Sequence, residues 1–316
     1  MTGDFTTTVG PDLAGKTVLA ALRQLEPGAS WSQLRGRLSS RHVLVNGVLC
    51  LEEARRLRLG DVIARQMRAA PPPPGAESVK IVYRDADLLV VDKPPGLQTE
   101  RRDEEARWPA WRKAQRPTLD EIVRGLLQSQ NRRSSGRAPY VGLVHRLDRE
   151  TSGLMVLALN PRSEENLIAQ FRDHTARRTY LAVVAGTPQS QTIRTRITRD
   201  RGDGLRGNAT EGLSAVTHLT VVESFAGYSL VRCELETGRT NQIRIHLAEL
   251  GHPVCGDGKY RGPLGHPVSD DSGALRLALH ATRLELRHPA SGKGIGWDAP
   301  LPVELASWLM RLRVSP

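Results

Sequence analysis

The residues best placed to do chemistry lie in VHRLDRETSGLMVLALN, Val144 to Asn160. His145, Arg146, Asp148, Arg149 and Glu150 crowd the start, and Leu154 to Leu159 carries no charge. Such a run reads as a buried strand, with Ser152-Gly153 as a turn and the charged residues as the loop leading into it. Asp148 is flanked by Arg146 and Arg149, and nearby guanidinium groups favour the ionised form of a carboxylate. An ionised aspartate in a closed site can act as a nucleophile or a base. An ordinary ion pair at a strand end would look the same, and this loop does not separate the two.

The elements around the loop follow from periodicity and turn chemistry. Four prolines, Pro71 to Pro74, break any helix or central strand and favour an extended spacer. They divide the chain into a small domain (1–70), a linker (71–78) and a large domain (79–316). In the small domain TVLAALRQLEP predicts a helix with Val18, Leu22 and Leu25 on one face, and SWSQLRGRLSSR a second, capped by Ser30 or Ser32. Two strands turning at Asn46-Gly47 and a further turn at Gly60-Asp61 complete it. Arg35, Arg37 and Arg41 are assigned to the second helix, which makes a basic face.

In the large domain VKIVYRDADLLVVDKPPG reads as two strands joined by an Asp-rich turn. Lys93 at its end is a candidate cleft charge. Residues 100–137 read as a charged insertion with one helix over Leu119–Gln128. Pro188 to Glu211 reads as a polar connection, and THLTVVESFAGYSLVRCELET as a hairpin near Ala226-Gly227. TNQIRIHLAEL predicts a helix capped by Thr240 and stopped by Gly251, with Ile243, Leu247 and Leu250 on one face and Arg244 on another. Strands outnumber helices without βαβ alternation, which indicates an α+β fold.

The chain has 316 residues, with 45 Lys+Arg against 34 Asp+Glu and a formal net charge of +11. That excess favours a polyanionic partner, nucleic acid first. Cys50, Cys233 and Cys255 form no C-x-x-C pair, so a zinc ribbon is not indicated. No apolar stretch is long enough to span a bilayer, and the expectation is a soluble, cytoplasmic protein without a membrane partner. His145 reads as a packing residue, and His246 and His252 are too isolated to hold a metal. Taken alone, Tyr180 would be a core tyrosine and Arg244 a surface arginine.

VHRLDRETSGLMVLA resembles the signature of the RluA-type pseudouridine synthases. VVDKPPGL, RRTYLAVVAG, ETGRTNQIRIHLAELGHPVCGDGKYRG and ALHATRLELRHP resemble the family's other motifs in order, so the resemblance spans about residues 79–305. SQLRGRL, VLVNGV and LRLGDVI resemble the S-four RNA-binding domain. The resemblance implies a mixed, largely antiparallel sheet with a central RNA cleft, plus a small N-terminal α/β RNA-binding domain. It implies isomerisation of uridine to pseudouridine in RNA, without cofactor or metal: the C1'–N1 bond breaks, the base turns, and C1' joins C5. Asp148 would be the essential residue, Arg146 would hold the nucleotide open, Tyr180 would pack on the flipped base, and Arg244 would pair with Asp148. Arg35, Arg37, Arg41 and Lys93 would add RNA contacts. Large-subunit ribosomal RNA is the first candidate substrate, transfer RNA the second, and a monomer is expected. Arg178 stands where many relatives carry lysine, and GLQTERRDEE departs from the usual histidine-proline continuation. A non-catalytic RNA binder and a base-excising glycosidase are the competing readings. The first has no need of Asp148, Tyr180 and Arg244 together, and the second would need another carboxylate to activate water.

Overall fold

The computed structural model describes residues 4–130, 138–225 and 227–314. Two compact units result: Met1–Pro73 with Arg107–Gln115, and Pro74–Ala106 with Arg116–Pro316. The division falls within the four prolines. Part of the stretch assigned above to an insertion of the large domain, Arg107–Gln115, belongs with the N-terminal unit.

The N-terminal unit contains β1 (Phe5–Thr8), α1 (Val18–Leu25), α2 (Trp31–Ser39), β2 (Val43–Val45), β3 (Val48–Leu49) and β4 (Val62–Arg65). The sheet runs β1-β4-β2-β3, all antiparallel. Thr17 caps α1, and Ser30 caps α2 in a reciprocal box with Gln33. Val18, Leu22, Leu34 and Leu38 bury the inner helix faces against Val43, Val45 and Ile63. β1 is a strand of polar residues, FTTT, that sequence periodicity does not mark. Its faces alternate half-buried and exposed, which leaves little apolar signal.

The larger unit contains β5 (Lys80–Arg84), β6 (Leu88–Lys93) and α3 (Asp103–Ala106). The chain then passes through α4 (Ala110–Ala114), which belongs to the N-terminal unit, and continues with α5 (Leu119–Gln130), β7 (Gly142–Leu143), β8 (Ser152–Ala158) and α6 (Pro161–Arg172). There follow β9 (Arg177–Ala185), β10 (Gln191–Thr198), β11 (Gly207–Asn208), β12 (Leu213–Phe225), β13 (Tyr228–Leu235) and α7 (Gln242–Glu249). β14 (Leu279–Arg287), β15 (Gly294–Asp298) and α8 (Val303–Val314) complete it. The sheet runs β11-β10-β12-β13-β9-β14-β8-β6-β5, with β7 on β8 and β15 on β14. Among the named strands of the described residues only the β14–β8 pairing is parallel.

Side chains alternate across a strand, and here both faces are covered. Leu89, Val91, Met155 and Leu157 enter a core with α5, α7 and α8, while Leu88, Val90, Leu154 and Val156 enter a second with Leu167 of α6. Three sequence expectations are corrected. Ser152-Gly153 is no turn but the start of β8, where a Cβ on Gly153 would strike the Ala281 backbone of β14. The stretch Pro188–Glu211 holds β10 and β11 rather than a plain connection. Thr240 does not cap α7: the N-cap is Asn241, at φ 60° and without a side-chain cap bond. The β12–β13 hairpin is formed, and Ala226 lies outside the described residues, as do 131–137 of the insertion.

Candidate active site

The loop 145–151 ends at the first residue of β8 and is tied down from below. Thr99, 1 % exposed, donates its hydroxyl to the Leu147 carbonyl at 2.8 Å and accepts from the Leu147 N–H at 3.3 Å. The Arg149 carbonyl accepts from the Gly96 N–H at 2.8 Å and from Lys93 Nζ at 3.2 Å. Lys93 is wholly buried, and its ammonium also donates to the Pro94 and Leu97 carbonyls. Burial pushes its pKa down to about 7, with Glu150 and Asp148 opposing. Lys93 is therefore not an exposed cleft charge, contrary to the sequence reading; it joins the end of β6 to the loop that carries Asp148. His145 stacks on Phe171 with ring centroids 4.4 Å apart, and its Nε2 accepts from the Val156 N–H. Burial, helped by Arg178, drives its pKa to about 3, which fits a neutral packing residue.

Asp148 Oδ2 accepts from Arg244 Nη1 at 3.3 Å. The arginines beside Asp148 in sequence point elsewhere: Arg146 to Glu100 at 3.4 Å, and Arg149 to Glu150 at 3.1 Å. Arg244 is held from its other side by Asp257, with Nε–Oδ2 at 2.6 Å and Nη2–Oδ1 at 2.7 Å. This is a bidentate fork, the strongest geometry for such a pair. Burial works against the Arg244 charge, but Asp257 and then Asp148 more than offset it and raise its pKa. Asp257 was not singled out from sequence, although it lies inside the quoted GHPVCGDGKYRG. Its side chain is fully buried and also accepts from the Lys259 and Tyr260 N–H groups.

Helix α7 aims Arg244 by anchoring its opposite side. Gln242 donates to the Val216 carbonyl and Thr217 Oγ1, and accepts from Thr237 Oγ1 and the Arg239 N–H. His246, one turn on, lies between Thr217 Oγ1 and Thr195 Oγ1, each 2.9 Å away. Residues 242 and 246 share a face, so residue 244 is turned toward the cavity.

That cavity measures about 440 Å³ and is lined by Asp148, Tyr180 and Arg244 together. Tyr180 sits on β9 between Cys233 of β13 and Ala281 of β14. Burial, with Asp148 adding and Arg178 opposing, raises the pKa of its phenol, which stays neutral. Arg146 stands half-exposed at the wall. Among the described lining residues Asp148 is the only carboxylate, against Arg146, Arg172, Arg178, Arg239 and Arg244. Hydrolysis by paired carboxylates does not fit this set. A single carboxylate, a flat phenol and a cationic wall suit an extruded base with its phosphates.

A profile of the family described as RNA pseudouridylate synthase matches residues 87–249. The chain belongs to this family, in its RluA-type branch. It is 35 % identical to the ribosomal large subunit pseudouridine synthase D of Neisseria meningitidis, over 98 % of this chain and 82 % of the relative. To the protein of that name from Pseudomonas aeruginosa it is 32 % identical, over 95 % and 93 %. The solved human RNA pseudouridylate synthase domain containing 4 superposes with a TM-score of 0.59 at 25 % identity, over 75 % of this chain and 95 % of that one. As a pseudouridine synthase the chain is an isomerase acting on uridines of RNA.

The basic residues chosen in the N-terminal unit fare unevenly. Arg35 remains largely exposed beside Glu53, while Arg37 pairs with Glu26. Arg41 is not on α2, which ends at Ser39. It follows at φ 71° and donates to the Ala70, Pro71 and Gln115 carbonyls. Asp85, Asp87 and His288 bring three ligand-type atoms together at the β5–β6 turn, apart from the cavity lining.

Proposed function

We propose that this synthase modifies uridines of large-subunit ribosomal RNA, with Asp148 as its essential catalytic residue. The observation that carries the reading is Asp148, the single carboxylate among the described lining residues, paired to a doubly held Arg244 in the cavity that also presents Tyr180. The ribosomal assignment is supported by the two relatives named above. In this reading the target base leaves its stack, and Arg146 fills the opening and contacts phosphate by stacking and charge. Tyr180 offers its ring to the extruded base, Arg244 fixes the Asp148 carboxylate, and Asp148 acts at the sugar. The N-terminal unit serves as an S-four-type RNA-binding domain, with Arg35 its most exposed chosen cation and Arg37 and Arg41 beside it. The enzyme works as a monomer in the cytoplasm.

The test is to map pseudouridine in total RNA from cells with and without the protein, and to restore each with wild type or Asp148→Asn. Sites in large-subunit ribosomal RNA should vanish on deletion, return with wild type, and stay absent with the variant. Binding by the variant should change little, because affinity rests on the basic surface. Sites lost only from transfer RNA would overturn the ribosomal assignment; normal turnover by Asp148→Asn would overturn the role of Asp148.

A further inference from the structure

Arg178 precedes Tyr180 by two residues on β9, so both side chains leave the same face of the strand. It lines the same cavity and is 8 % exposed. Arg244 is as deeply buried but holds two carboxylates. Arg178 holds none among the described residues: its Nε is buried without an acceptor, and Nη2 reaches only the Glu236 carbonyl, at 3.4 Å. The Phe171 ring, 5.4 Å from the guanidinium carbon, gives partial compensation. The neighbouring chain makes room for the group, since a Cβ on Gly238 would come within 2.5 Å of Nη1. A guanidinium cannot shed its charge near neutral pH, and a buried charge without a counter-charge destabilises the fold. A cavity that holds such a cation beside its catalytic residues is shaped for an anion that arrives with the ligand.

We propose that Arg178 is the receptor for an anionic oxygen of the bound nucleotide. The inference rests on RNA being the substrate. Two sources share this chemistry. One is a phosphate of the RNA backbone. The other is the uracil itself: when the C1'–N1 bond breaks, N1 keeps the electron pair and the detached base is an anion spread over N1, O2 and O4. The charge is discharged when C5 bonds to C1', a proton leaves C5 and one arrives at N1, so atoms and electrons balance without a co-reactant.

The test uses the full chain as wild type, Arg178→Met and Arg178→Lys. Thermal midpoint, RNA affinity across a salt series and the single-turnover rate at saturating RNA are measured. Arg178→Met should fold with a midpoint no lower than wild type, because an uncompensated charge has been removed, and should lose function. If the anion is a phosphate, affinity falls at least tenfold, the log affinity–log salt slope drops by about 0.7, and the saturated rate holds. Arg178→Lys then recovers much of the loss, since a point charge suffices. If the anion is the detached base, affinity and slope stay unchanged and the saturated rate falls at least a hundredfold. Binding and turnover within twofold of wild type, or a lowered midpoint or failure to fold in Arg178→Met, would overturn the proposal. Absence of pseudouridine from the wild-type reaction would instead count against the enzyme assignment, while the affinity and midpoint readings still report on Arg178.

Discussion

Replacing Thr99 by Val keeps the shape of the side chain and removes its hydroxyl. Two backbone groups of Leu147 then lose their partner, the carbonyl at 2.8 Å and the N–H at 3.3 Å. Thr99 and Leu147 are 1 % and 3 % exposed, so water does not take over. An orphaned buried polar group costs about 1–3 kcal/mol, with the longer N–H contact near the low end. The expected destabilisation is therefore about 2–4 kcal/mol. Leu147 adjoins Asp148, and a displacement of about 1 Å at a reacting group can cost on the order of 100-fold in rate. Urea unfolding gives the first quantity. Single-turnover pseudouridine formation at saturating RNA, below the melting range of the variant, gives the second. Thr99→Val should bind RNA as wild type does and react 10- to 100-fold more slowly, on that same scale. Thr99→Ser, which retains the hydroxyl, should recover most of the rate. A folded Thr99→Val enzyme that reacts at the wild-type rate would refute the clamp, whatever its stability.

Two further outcomes are expected. Asp257→Asn removes the fully buried carboxylate of the pair, so unfolding free energy should fall by about 3–5 kcal/mol, with catalysis weakened as Arg244 loses its fixed side; a loss under about 1 kcal/mol in urea titrations would contradict this. The second concerns acid. Burial depresses His145 to about 3 and His246 and His280 to about 4. Below the unfolded value near 6.5 the unfolded chain takes up protons that the folded chain refuses. Their stability contribution is thus present above pH 6.5 and is lost as pH falls toward 4, by up to about 1.4 kcal/mol per pH unit for each ring. A urea midpoint that is flat from pH 7 to pH 5 would show that these rings are not held neutral.

The order of motifs pointed to Asp148, Tyr180 and Arg244 before any geometry, and the fold brings these three to one cavity. Contacts between distant segments were not legible in the same way. The glycine of Ser152-Gly153 reads as a turn residue from its neighbours, whereas its need comes from Ala281 on a strand far along the chain. Lys93 reads as a cleft charge because nothing local announces three converging carbonyls. β10 carries little strand signal because only Ile193 and Ile197 of its eight residues are buried, with Arg194, Thr195 and Arg196 between them. The face drawn through Ile243 and Leu247 set Arg244 apart from the core, but because helix α7 is heavily buried on every side it did not show which groups Arg244 would meet. Asp257 carries no mark of its own until its fork with Arg244 is seen.

The N-terminal unit is discontinuous in the chain, and that bears on the order in which the protein can be made. The ribosome delivers Met1–Pro73 first, yet this unit takes Arg107–Gln115 only after the 33 residues from Pro74 to Ala106 have been added. At typical elongation rates that interval is about 2–7 s, long compared with the folding of a small domain. The apolar core of the unit, drawn from residues between Phe5 and Ile63, is delivered whole before then, while the Arg41 bond to the Gln115 carbonyl forms only when the later segment emerges. An arrested or truncated product ending before Arg107 would hold the N-terminal core without the Arg107–Gln115 segment and without the Arg41 tie to it.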